Sequence, residues 1–107
     1  MKKENQTLLI HQVVMDQSHD VTLFCQFEND HSPIYYLSIQ LRKLNELLMN
    51  SGVGGMKLLE SMANVIMECS LESMVVTVSE TLGLPLLVDV PSEQIWHNQE
   101  EDVYFYC

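Results

Sequence analysis

Basic residues are scarce in this chain: five Lys and Arg stand against fifteen Asp and Glu, for a formal net charge of -10. That balance excludes a generally polycationic nucleic-acid binder, because phosphate affinity comes from Lys and Arg contacts that release counterions. Long apolar runs are missing too. No uncharged stretch approaches the roughly 20 residues that cross a bilayer, so no membrane role is expected. The cysteines, Cys25, Cys69 and Cys107, are few, odd in number and widely spaced, and Met1 to Gln6 leads into no apolar core adequate for a secretory signal. Reduced thiols in the cytosol or nucleus are the expectation. Aromatic residues make up only 7%, while seven Met fill part of the interior and leave it softly specified. At 107 residues, 47% of them hydrophobic, the chain has material for one core, a single domain over 1–107.

Thr7 to Met15 is apolar and β-branched, and Asp20 to Glu28 alternates Val21, Leu23, Cys25 and Phe27 with more polar positions; both read as strands. Residues 16–20 supply side chains that bond to local backbone, predicting a hairpin. Ile34 to Ile39 favours a third strand turning into a helix over Leu41 to Asn50, although Ser32 as a cap, with Pro33 following, leaves a helix from Ser32 onward open. Leu41, Leu44, Leu47 and Leu48 share the buried face of the helix, with Arg42, Lys43, Asn45 and Glu46 away from it. Gly52, Gly54 and Gly55 read as a flexible joint. A second helix over Met56 to Cys69 buries Met56, Leu59, Met62, Ala63, Ile66 and Met67, with Asn64 to Ser70 as an alternative strand. Met74 to Val78 and Leu86 to Val90 are strand-like across a turn at Thr81 to Pro85, and Asp102 to Tyr106 is expected as a final strand at a sheet edge. The sum is an α+β fold, an antiparallel sheet with one or two short helices packed on one face.

The few cations are concentrated. Arg42 and Lys43 open one helix and Lys57 opens the next, a basic strip suited to DNA-backbone contact, where side chains position a protein without reading sequence. The same residues also fit a solvated face that keeps an acidic protein in solution. Trp96, Tyr104, Phe105 and Tyr106 are the candidates for a partner interface, since Trp and Tyr combine apolar area with a polar tip, and an unpaired final strand invites sheet extension.

Other constellations carry less. Ser18-His19-Asp20 holds the residue types of a hydrolase triad, but adjacent residues do not converge on one atom. His11, His19, His31 and His97 lack the paired spacing of zinc ligands, so neither metal nor other cofactor is expected. Gly52 to Lys57 lacks the Ser or Thr that follows the Lys of a phosphate loop. Glu93, Glu100, Glu101 and Asp102 around Trp96 read as a solvated acidic loop.

Several collinear pieces carry a resemblance. Met15-Asp16-Gln17-Ser18-His19-Asp20-Val21-Thr22-Leu23 is similar to a Met-Asp-x-Ser-His-x-x-Leu stretch of PCNA-type clamps, with one extra residue after His19. Cys25 to Asn29, the strand-to-helix step Tyr36 to Leu44, Val76 to Ser79, Asp89-Val90-Pro91, Ile95-Trp96 and Asp102 to Tyr106 follow in the order of a Hus-type subunit. The chain thus resembles one domain of the DNA sliding clamps, particularly the Hus-type subunit of the checkpoint (nine-one-one) clamp. The resemblance implies a non-catalytic, nuclear protein of the damage checkpoint and repair, partnered by other clamp subunits and non-specific DNA, with no small-molecule substrate. Because a clamp domain starts with a further strand and helix, and a clamp subunit carries a second domain, it also implies a half domain, a fragment or reduced relative that completes its sheet with a partner. The alternative is a small cytosolic, acidic α+β module, an adaptor or assembly factor, that closes its own core.

Overall fold

The computed structural model describes residues 5–16, 18, 20–28, 34–68 and 74–107. In chain order these form β1 (Asn5–Met15), β2 (Asp20–Phe27), β3 (Tyr35–Gln40), α1 (Leu41–Met49), α2 (Gly52–Glu68), β4 (Met74–Thr77), α3 (Val78–Leu82), β5 (Leu86–Pro91), β6 (Ile95–Asn98) and β7 (Val103–Tyr106). A short 3-10 turn, Ser92–Gln94, leads into β6. The class is α+β, with three α-helices and seven strands among the described residues. The sheet is mixed rather than wholly antiparallel, because β7 returns alongside β3 in parallel, pairing Leu37 with Tyr104 and Ser38 with Phe105.

β1 is the spine. Asp16 turns it into β2, its Oδ1 accepting hydrogen bonds from the backbone N–H groups of Ser18 and Asp20, the local capture expected of a turn aspartate. On its other side β1 pairs with β5 through Asn5 to Ile10 and with β4 through Gln12 to Met15. The change of partner falls at His11, where the register against β2 also shifts between Ile10 and Gln12. Such a bulge bends a strand and increases its twist. The bend lets β4 and β5 lie end to end along β1, with α3 between them. Gly83, at φ +82, closes α3.

Curvature continues across the sheet. Only Ser92–Gln94 separates β5 from β6, although β1, β2, β3 and β7 lie between them in the strand order. The sheet therefore curls until its two sides approach at this end. A cavity of about 280 Å³ lies there, bounded by Thr7, Phe27, Ser92, Ile95, His97 and Tyr104 among others.

The core lies on the inner face. Leu8, Ile10, Val13, Val21, Leu23, Cys25 and Leu37 project from the sheet against Leu44 and Leu48 of α1, Leu58 and Met62 of α2 and Val78 of α3. The buried face of α1 is the one its leucines predict. That of α2 is turned: Leu58 is fully buried and Met62 nearly so, whereas Met56 and Ala63 face solvent. The glycines explain the shift. Gly54 and Gly55 are not a joint but part of the first turns of α2, and a Cβ on Gly55 would collide with the backbone oxygen of Leu48. Gly55 thus brings α2 onto the end of α1, and the residues three, four and seven positions on, Leu58, Leu59 and Met62, face inward. The side chains of Ile66 and Met67 lie outside the described residues.

Three further expectations meet the structure here. The segment 35–40 is strand, so a helix running through from Ser32 does not form, and Ser32 and Pro33 themselves are outside the described residues. Residues 64–68 are helical rather than strand, with Cys69 and Ser70 beyond the description. The last strand, β7, is interior, and the edge it was expected to form belongs to β6.

Candidate functional site

β3 runs into α1 with no intervening loop: Gln40, still extended at φ -72 and ψ 142, is the residue before the first helical position. This step places Arg42 and Lys43 in the first turn of α1, Arg42 exposed and Lys43 partly so. Neither makes an ion pair with a described carboxylate, and no acid occupies that turn. Free backbone N–H groups already give a helix start a partial positive charge, so cations there are locally unfavourable, by about 0.3–1 kcal/mol each at low salt. The arrangement is poor for helix stability and good for attracting an anion. Lys57 stands apart from this turn. It is exposed on α2 and lines a groove with Val53, Leu82, Leu84, Pro85 and Leu87, so the strip expected from three cations divides into a pair on α1 and one lysine elsewhere.

The aromatic candidates divide by the two-residue alternation of strands. Trp96 and Phe105 pair across β6 and β7 on the outer face, with Trp96 63% exposed and Phe105 37%. The row continues from Phe105 through Ser38, Thr22 and Val14 to Val75 by strand register. Phe24 and Tyr36 add an edge-on ring pair at 4.8 Å on the same face. No helix among the described residues covers this side, and Val75 and Leu87 are more than half exposed.

Tyr104 and Tyr106, expected beside Trp96 and Phe105 at an interface, point to the opposite face of the sheet, Tyr104 partly buried and Tyr106 buried. Tyr106 is buried, its hydroxyl donating to Gln94 Oε1 at 2.6 Å. Burial, and secondarily the negative charge of Glu46, raises its pKa. Tyr104 packs edge-on against Phe27 at 5.1 Å and Tyr35 at 5.0 Å, and stacks on the His97 ring at 4.3 Å. His97 in turn lies 3.0 Å from Asp102 Oδ1. Asp102 holds φ 51 in the β6–β7 turn. The polar stretch around Trp96 is therefore a hairpin rather than a loop. Of its two strands the second, β7, was expected from Asp102 to Tyr106, whereas β6 was missed because only four residues, Ile95–Asn98, form it and the polar Asn98 to Glu101 dilute its apolar signal.

Among the described residues no cluster of His, Cys, Asp or Glu could hold a metal ion; His19, His31 and Cys69 are outside them. His11 instead bonds Gln26 Oε1 at 2.8 Å. Cys25 is wholly enclosed, and burial pushes its thiol up to about 12, so it is no nucleophile. Ser18 and Asp20 belong to the Asp16 turn. No helix among the described residues is long and apolar enough to cross a membrane. Comparison with protein-family models, curated proteins and solved structures finds no match.

Proposed function

We propose that this chain is a non-catalytic, clamp-like subunit or fragment that acts in the nucleus in the DNA damage checkpoint and repair, through backbone contacts to DNA and contacts to partner proteins. The observation that carries this reading is the Arg42–Lys43 turn at the start of α1, reached directly from β3 and without an ion pair among the described residues. Two cations added to a helix start attract phosphate without any base-edge contact, which is what sliding along DNA requires. Two phosphate contacts contribute a salt slope of only about -1.8 on duplex DNA. Retention on DNA therefore belongs to an assembly, which recruits the chain through the outer face at Trp96 and Phe105, with other clamp subunits as the partners implied by the resemblance.

The test is retention of the partner complex, recovered by affinity purification, on duplex DNA between about 50 and 200 mM salt, with Arg42→Glu/Lys43→Glu in place of the wild type. Weaker retention and a flatter salt dependence are expected, with circular dichroism unchanged; identical retention ends the proposal. A second reading, a cytoplasmic adaptor with no DNA role, is favoured by the exposed Trp96–Phe105 pair. It predicts that Trp96→Ser abolishes partner capture while the α1 variant has no effect on any function of the complex.

A further inference from the structure

The cavity of about 280 Å³ at the curled end of the sheet is chemically one-sided. Phe27, Ile95 and Tyr104 give it apolar walls, with the Phe27 and Tyr104 rings 5.1 Å apart and inclined at 63°. Its polar lining is arranged to accept hydrogen bonds. Thr7 Oγ1 gives its single hydrogen to Asp89 Oδ1 at 2.7 Å, so toward the cavity it has only lone pairs to offer. His97 Nε2 lies 3.0 Å from Asp102 Oδ1; a carboxylate only accepts, so the hydrogen sits on that nitrogen and the neutral ring keeps Nδ1 as a lone pair. Glu28 adds a carboxylate of its own, while Gln6 and Ser92 can serve either way. No Lys or Arg among the described residues lines the cavity. With Asp89 and Asp102 each one hydrogen bond away, the local charge has the same sign as the net charge of -10.

We propose that this cavity binds a small organic ammonium ion, an amine carried on an aromatic or aliphatic body, with its N–H groups on Glu28, Thr7 and His97 and its body against Phe27, Ile95 and Tyr104. Three observations select this ligand. Groups that can only accept need a partner that donates, and an ammonium brings three donors and no acceptor. Aromatic walls favour the same charge, because the negative face of a ring attracts a cation. The volume sets the size. It falls just under the roughly 300–1,000 Å³ of ordinary ligand pockets, which suits a small molecule with a few apolar carbons. A bare metal ion does not fit, since no described cluster of His, Cys, Asp or Glu could hold one. Lys2 and Lys3 precede Gln6 in the sequence and lie outside the described residues; an anionic probe reports whether they reverse the preference. The site is independent of the DNA reading, which uses Arg42 and Lys43.

The experiment is an NMR titration of the full chain at neutral pH with three probes of one shape and different charge: phenethylamine, 2-phenylethanol and phenylacetate. Phenethylamine should bind with a dissociation constant of about 1 mM, as a ligand of about nine heavy atoms allows. It should bind about fivefold more tightly than the alcohol, with phenylacetate weakest and the shifts concentrated at Thr7, Glu28 and His97. Glu28→Gln, at an exposed position, should weaken phenethylamine about threefold and leave 2-phenylethanol unchanged. Ser92→Phe fills the cavity and should abolish binding of every probe; should that variant fail to fold, the shift map and Glu28→Gln decide. Absence of phenethylamine binding at about 10 mM, phenylacetate binding as tight or tighter, shifts confined to another surface, or a Glu28→Gln chain that binds the amine unchanged overturns the proposal. So does tighter binding of the peptide Gly-Gly-Lys-Gly-Gly, which would place a lysine side chain of a protein in the cavity instead of a free amine.

Discussion

At the scale of single residues, Gly55 carries the tightest constraint. Adding even one methyl drives a Cβ into the Leu48 carbonyl, and since the obstacle is backbone, α1 and α2 must separate. Overpacking of this kind costs about 1–3 kcal/mol, so urea titration of Gly55→Ala should show a midpoint well below the wild type. An unchanged midpoint means that the helices are not so closely seated. Cys25 offers a pH test. Its thiol, about 12 in the fold against 9.0 for a free thiol, favours the folded state fully below pH 9. That contribution is lost as pH rises through the window from 9 to 12, because the unfolded chain ionises first. Ellman's reagent at pH 8 should label exposed Cys107 rapidly and reach Cys25 only on denaturation. The sequence carried the burial of Cys25 in its alternation with Val21, Leu23 and Phe27. It held no sign that Gly55 was a packing contact, since a glycine whose only role is to lack a side chain is indistinguishable in sequence from one that bends the chain.

At the scale of elements, the β3–α1 step is both the best-read feature and an imperfect one. Gln40 precedes the helix with extended geometry and makes no side-chain cap, where Ser, Asp or Asn would accept from a free N–H group. Gln40→Ser should therefore stabilise the protein by about 1 kcal/mol, visible as a higher urea midpoint; a fall would show that Gln40 is held by cross-strand contact with Asp20, its register partner. The leucine spacing of α1 and the β-branched runs of β1, β4 and β5 were legible because each element buries one face with the matching period. The rotation of α2 was not, since Met56, Leu58, Leu59 and Met62 are all apolar and only the approach at Gly55 chooses among them. The aromatic run at the C-terminus was legible as strand but not as position: whether a last strand is edge or interior depends on the return of β7 beside β3, a contact across more than sixty residues.

At the scale of the whole molecule, charge and connectivity set the behaviour. The chain measures 44 × 32 × 24 Å; at about 0.01 M salt the screening length is about 30 Å, so acids on opposite sides repel, whereas at 0.15 M it is about 8 Å and they do not. With a net charge of -10, the melting temperature should rise by a few degrees between these two conditions. A flat response would mean that unfolding does not relieve the repulsion. Connectivity decides how the partner face can be tested. Removing residues 102–107 would strip out β7, which joins β3 to β6, along with the buried Tyr106 and the Tyr104 ring that holds Phe27, Tyr35 and His97 together. Lost partner binding in that truncation would report unfolding of one side of the sheet. Trp96→Ser, at an exposed position on the edge strand, leaves the core untouched and should shift stability by about 0.5 kcal/mol or less. If the outer face recruits the assembly, this substitution alone should abolish partner capture at an unchanged melting temperature. Capture that persists would move the interface to another surface.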